Sequence, residues 1–131
     1  MPEALVEVVR LAVPCDARAP GVVRGELEQM EAIEPVRTEA KLVASELVSN
    51  AVRHSGCEPS HEIDVRVGLR GGLFEITVRD AGLSDRLPEV QENAEVGSLG
   101  LSIVNEIAHR WGTSRTDGQV VWAQLSLTPT R

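Results

Sequence analysis

The amino-acid sequence predicts an α+β fold, a two-layer α/β sandwich in which a mixed, mostly antiparallel sheet carries its helices on one face. Three observations predict it. Strand-like runs come as adjacent pairs, joined at Gly71-Gly72 and about Asp117-Gly118, and runs paired on short turns make antiparallel hairpins. Two helical stretches follow the first strand directly, and a third stands between the hairpins. The resulting order is strand, helix, helix, strand, strand, loop, helix, strand, strand. It breaks the strict alternation that a doubly wound parallel sheet requires.

Each element has its own signal. The first strand is expected over residues 5–13, LVEVVRLAV, where valine dominates and Pro14 stops the run. Pro20 suits a first helical turn, and Val22, Val23, Leu27 and Met30 then recur at helical spacing. Pro35 opens a second helix, with an apolar stripe of Val36, Ala40, Val43, Leu47 and Ala51, which ends before SGCEPS. In EIDVRVGLR, Ile63, Val65, Val67 and Leu69 alternate with polar neighbours. Phe74, Ile76 and Val78 do the same in LFEITVRD, so this hairpin buries one face. Residues 81–98 have no clean period, and a loop of that length implies a functional lid rather than a connector. Helical spacing resumes in LGLSIVNEIAHRWG through Leu101, Val104, Ile107 and Ala108, with Gly112 as its stop. The last strand alternates Val121, Ala123, Leu125 and Leu127. No repeat or linker interrupts the pattern, so residues 1–131 are expected to form a single domain.

Composition narrows the function. Thirteen Lys and Arg against 20 Asp and Glu give a formal net charge of -7, which argues against direct binding of nucleic acid. It favours a basic partner surface, or a ligand whose charge a metal ion carries. Phe74, Trp111 and Trp122 are the only aromatic residues, so stacking on single strands is poorly supplied, and both tryptophans read as core or interface packing. No apolar run is long enough for a bilayer, and MPEALVEVVRLAV lacks the features of a signal peptide. The expectation is a cytoplasmic protein that does not engage membranes. In that compartment Cys15 and Cys57 read as two reduced thiols. His54, Cys57 and His61 lie near one another, but nothing completes a zinc tetrahedron.

Three short segments carry candidate chemistry. A rotation of about 100° per residue puts Glu46, Asn50 and Arg53 on one stripe of the second helix, beside the apolar stripe, where a cleft would have its rim. His54 follows in the last turn. Asp80 falls where a strand gives way to loop, and Gly82 after it lets backbone approach a flat ligand. Gly97 and Gly100 stand at the start of the third helix, where main-chain N–H groups can cradle phosphate oxygens.

In their order and spacing, ELVSNAVRH, VRDAG and GSLGLSIV resemble the N box and the two glycine boxes of the GHKL, or histidine-kinase-like, ATP-binding family. Within it the chain is most similar to the stand-alone anti-sigma-factor serine/threonine kinases of bacteria, of the actinobacterial type. The overall length, SELVSNAVRHS, RWG and VVWAQLSL carry that closer likeness. The resemblance implies the Bergerat ATP-binding fold, with ATP and Mg²⁺ as ligands. It implies that Asn50 coordinates the metal through its side-chain oxygen and that Glu46 is the general base. Asp80 would accept a hydrogen bond from the adenine amino group, with Gly82 against the ring. Gly97, Ser98, Leu99, Gly100 and Leu101 would bring main-chain amides to the phosphates, and Arg53 and His54 would support the nucleotide. The implied partners are a sigma factor, an anti-sigma-factor antagonist and a second copy of the chain.

The chain also departs from the family pattern. Ser84 stands where the first glycine box has its second glycine, and Ser98 and Leu99 stand where many relatives carry a base. Arg86 is the only basic residue in the predicted lid, and a cation near the γ-phosphate contributes much of phosphoryl-transfer catalysis. Two functions therefore stay open: a kinase acting on the antagonist, or an ATP-binding module that sequesters a regulator without phosphoryl transfer. A catalytic domain cut from a larger histidine kinase and a metal-dependent hydrolase are weaker readings.

Overall fold

The computed structural model describes residues 6–80, 101–115 and 118–128. The predicted lid, with Gly82, Gly97 and Ser98, lies outside the described residues, as do Leu99 and Gly100 after it and Asp117 of the last turn. The elements run β1 (Val6–Pro14), α1 (Ala19–Glu28), a 3₁₀ turn (Glu31–Val36), α2 (Arg37–His54), β2 (Glu62–Arg70), β3 (Leu73–Asp80), α3 (Leu101–Ile107), β4 (Arg110–Ser114) and β5 (Gln119–Ser126). The strands form one sheet in the order β1-β2-β3-β5-β4, and every described pairing is antiparallel. Helices cover one face, which makes the two-layer sandwich.

Local chemistry sets the elements. Arg70 faces Leu73 across the first hairpin, so Gly71 and Gly72 alone make the turn, and Gly71 takes a φ of 57°. Two-residue hairpin turns need a positive φ there to match the twist of the strands. Pro35 lies inside the 3₁₀ turn that leads into α2, and its missing N–H is tolerated where no intrahelical partner exists. The sheet's inner face is built from alternate residues: Ile63, Val65 and Val67, then Phe74, Ile76 and Val78, then Val121, Ala123 and Leu125, all buried. Val43, Leu47 and Val48 of α2 and Leu101 and Val104 of α3 close over them. Each large side chain buried there contributes about 1.5–3 kcal/mol relative to exposure. The outer face is charged, with ion pairs such as Arg10–Asp64 at 3.3 Å and Arg66–Asp64 at 3.0 Å.

Two expectations fail. The third helix was expected to run through RWG to a stop at Gly112, yet α3 ends at Ile107 and β4 takes Arg110–Ser114. Pairing with β5 wins over helical spacing, because Trp111 lies opposite Ala123 and donates its indole N–H to Asn105 Oδ1 at 3.0 Å. Gly112 is a strand residue opposite Trp122, and a Cβ on it would come within 2.8 Å of the Trp122 ring. The indole lies over that glycine. Gly112→Ala is accordingly expected to lower unfolding stability by about 1–3 kcal/mol. The same change in a Trp122→Leu background should lose most of its effect, and urea denaturation of the four chains checks this.

The cysteines are the second correction. Cys15 and Cys57 form a disulfide, with Cα atoms 6.2 Å apart, in place of two reduced thiols. The pairing of β1 with β2 sets Pro14 opposite Glu62, and Cys15 N–H donates to His61 C=O at 3.1 Å. Residues remote in sequence thus become neighbours through the sheet. His61 is held in the same turn, where its Nδ1 accepts from Glu58 N–H at 2.9 Å. No described helix is long and apolar enough to cross a membrane.

Candidate functional site

Four polar side chains are buried among the described residues: Asn50, Ser55, Asp80 and Gln119. Such groups lose water, so each needs a partner. Ser55 has one, since its Oγ accepts from Cys57 N–H at 3.1 Å just past the end of α2. The other three belong to α2, β3 and β5.

Asn50 comes two helical turns after Val43, about 20° away around the axis, so α2 carries it on its buried side. It is 1% exposed, deeper than the rim position expected for it. Its Oδ1 is buried with no hydrogen-bond partner among the described residues. Leaving such an acceptor unsatisfied costs about 1–3 kcal/mol. A neutral oxygen with free lone pairs is what a hard cation such as Mg²⁺ takes as a ligand, and the donor type fits. The described residues hold no cluster of three or more His, Cys, Asp or Glu that could grip a metal alone. Magnesium characteristically keeps several waters and takes phosphate oxygens beside one or two protein ligands, so a single amide is compatible with it.

Glu46 lies one turn before Asn50 and is half-buried. Next to it, Ser45 Oγ accepts from Arg24 at 3.0 Å, which ties α1 to this part of α2. Arg53 and His54 form the basic last turn, where positive charge meets the negative end of the helix dipole. His54 is half-buried, whereas Arg53 is exposed and lines a shallow outer groove with Asp16, Pro20, Ser49 and Val52. Arg53 therefore does not join the buried set. In that groove the Arg18 guanidinium holds the Asp16 carboxyl below the usual carboxylate range.

Asp80 is the last residue of β3 and is buried. Alternation with Phe74, Ile76 and Val78 turns its side chain toward the helices, and α2 packs against β3 and β5. The amide of Asn50 and the carboxylate of Asp80 thus belong to opposite walls of the same interlayer. Leu101 opens α3 with its side chain fully buried in the core, so only its main chain is available to a ligand.

Sequence reasoning overlooked Gln119. The inward series Val121, Ala123, Leu125, extended back by one step, lands on residue 119, and register places Gln119 directly opposite Asp80. It is 3% exposed. That alternation was the available signal.

The model of one protein family, the histidine kinase-like ATPase domain, matches residues 2–125. No curated protein matches the chain.

Proposed function

We propose, for a chain that belongs to the histidine kinase-like ATPase domain family and is thus an ATP-binding domain, that it is an anti-sigma factor and protein serine/threonine kinase acting on an antagonist protein. The observation that carries this reading is the buried Asn50 Oδ1, without a partner among the described residues, one turn from Glu46 on the same helix. Asn50 would hold Mg²⁺, which when bound offsets the charge of the triphosphate. Glu46 takes the proton of the antagonist's serine or threonine hydroxyl. That oxygen bonds to the γ-phosphorus, the bond to the β,γ-bridging oxygen breaks, and ADP leaves. Asp80 accepts from the adenine amino group. By the family pattern, main-chain amides of Gly97, Ser98, Leu99, Gly100 and Leu101 would hold the phosphates, Gly82 would meet the base, and His54 would support the site. Arg53, being exposed, has at most a peripheral part in it.

The acidic net charge of -7 suits a basic face on the sigma factor. Two copies would pair along β1, an edge strand of the described sheet whose Val6 and Val8 are 62% and 46% exposed. One observation favours a second reading. Arg86 is the only basic residue in residues 81–98, so the γ-phosphate lacks the lysine that would speed transfer. The chain would then sequester its partner with ATP as a structural ligand.

Labelled ATP, incubated with the chain and candidate antagonists, separates the two. Label on serine or threonine of the antagonist, reduced at least about 100-fold in Glu46→Gln, is the expected result. Label on histidine, or transfer unchanged in Glu46→Gln, would overturn the kinase mechanism. A stable complex without transfer selects the binding module.

A further inference from the structure

We propose that Cys15 and Cys57 form a thiol–disulfide exchange site for low-molecular-weight disulfides, in which Cys57 meets the reagent and Cys15 resolves the mixed disulfide. The proposal stands apart from the nucleotide-binding reading. It begins from an asymmetry between the two cysteines. Cys15 directly follows β1, is 3% exposed and belongs to the hydrophobic core. Cys57 is half-buried, on the turn between α2 and β2 where Gly56 takes a φ of 81°. A reagent in solution therefore reaches one sulfur and not the other.

The surroundings of Cys57 suit exchange. Ser55 is 1% exposed, and its Oγ accepts the Cys57 N–H at 3.1 Å, which leaves its own hydrogen for Cys57 Sγ at 2.8 Å. A hydroxyl that donates to sulfur favours the thiolate over the thiol. The thiolate is the form that attacks a disulfide.

The two sulfurs also stay neighbours when the bond is open. Pro14 pairs with Glu62 in the ladder between β1 and β2, and Cys15 N–H donates to His61 C=O at 3.1 Å. His61 is tied in turn to Glu58, its N–H donating to Glu58 C=O at 2.8 Å and its Nδ1 accepting from Glu58 N–H at 2.9 Å. Main-chain bonds thus hold the Cα atoms near their 6.2 Å separation, within the span a disulfide bridges. A pair so held can open and close in the folded chain.

The exchange balances. In the reduced chain the Cys57 thiolate attacks one sulfur of the reagent RSSR. The RS–SR bond breaks, and RS⁻ leaves with the electron pair and takes up the proton that Cys57 gave to water. Cys15, deprotonated in turn, attacks Cys57 Sγ, the Cys57–SR bond breaks, and a second RS⁻ leaves and is protonated. Two protein thiols are oxidised and one RSSR is reduced to two RSH, a two-electron step. A dithiol reductant reverses it, entering at Cys57. The bond joins residues 42 positions apart, so oxidation should raise the folded-to-unfolded ratio by about a thousandfold. The thiol poise of the surroundings then sets how much of the chain stays folded.

The test exposes the full chain, reduced and then freed of reductant, to oxidised glutathione, with acid quenching and peptide mass spectrometry. Cys15→Ser should accumulate the glutathione adduct on Cys57, while Cys57→Ser should form one on Cys15 at least about 100-fold more slowly. The unaltered chain should pass through the Cys57 adduct to the Cys15–Cys57 bond. Brief alkylation of the reduced, unaltered chain with iodoacetamide needs no variant to fold, and it should label Cys57 ahead of Cys15. Equal labelling of the two, or label first on Cys15, would overturn the assignment. So would a Cys57 adduct that persists in the unaltered chain without closing. Exchange whose rate climbs in step with the unfolded fraction in low urea would overturn it as well, because the reaction would then belong to the unfolded chain.

Discussion

Asn50→Leu should raise the stability of the nucleotide-free protein by about 1 kcal/mol and abolish the further stabilisation by Mg-ATP. The two effects have opposite signs and a common cause. In the free chain the Asn50 Oδ1 is buried without a partner among the described residues, so folding loses its hydration and gains no hydrogen bond. Leucine has a similar shape, removes the stranded acceptor and fills the same space beside Leu47 and Ala51. With Mg-ATP at 100 times its dissociation constant, the unaltered chain should gain about 2.7 kcal/mol, because ligand that binds only the folded state adds to its stability. The variant should gain none. Asn50→Asp keeps an oxygen ligand and should retain a Mg-ATP response, at lower stability in its absence, since a carboxylate is costlier to bury than an amide. Thermal unfolding of the three chains with and without Mg-ATP provides the measurement. A fall in nucleotide-free stability of Asn50→Leu together with an undiminished Mg-ATP shift would make residue 50 a packing residue and remove the site from α2.

Why Asn50 looked like a rim residue is a matter of side-chain type against position. Rotation about the helix sets it close to Val43, yet an amide in water is unremarkable at the border of an apolar stripe, so spacing alone does not reveal that it is buried. Strong local periodicity made other elements readable. β2, the Gly71-Gly72 turn and β3 follow from strict alternation and a two-glycine link, and Asp80 ends its strand as expected. The stripe of α2 was equally plain. Where local and long-range preferences compete, sequence is a weaker guide. Trp111 continues the helical spacing of Leu101, Val104 and Ile107, but its ladder with Ala123 decides its state, and that partner is set by the sheet. Gly112 is placed by the ring that lies over it rather than by a helix end. Gln119 hid because alternation was followed only through apolar residues. A polar residue in phase with them, opposite another such residue, was the signal to follow. The family itself was legible from three short segments, although the described residues cover only part of them, and the match over residues 2–125 stands independently of that gap.

Opening the Cys15–Cys57 bond should lower unfolding stability by about 4 kcal/mol while changing the dissociation constant for Mg-ATP less than about twofold. The bond joins residues separated by 42 positions, and closing a loop of that length in the unfolded chain removes about 4 kcal/mol of conformational freedom at 25 °C. That effect acts on the unfolded state. In the folded state, the ends are already held by the ladder between β1 and β2 and by the hydrogen bond from Cys15 N–H to His61. The end of α2 should therefore stay in place when the sulfurs part, and with it Asn50 and Glu46. Cys57→Ser and the unaltered chain in excess dithiothreitol should give the same urea midpoint, well below that of the oxidised chain. Titration with Mg-ATP below that midpoint should give a common affinity. If affinity instead falls along with stability, the bond shapes the folded end of α2 rather than the unfolded ensemble. Two titratable thiols in the protein folded under oxidising conditions would remove the cross-link altogether.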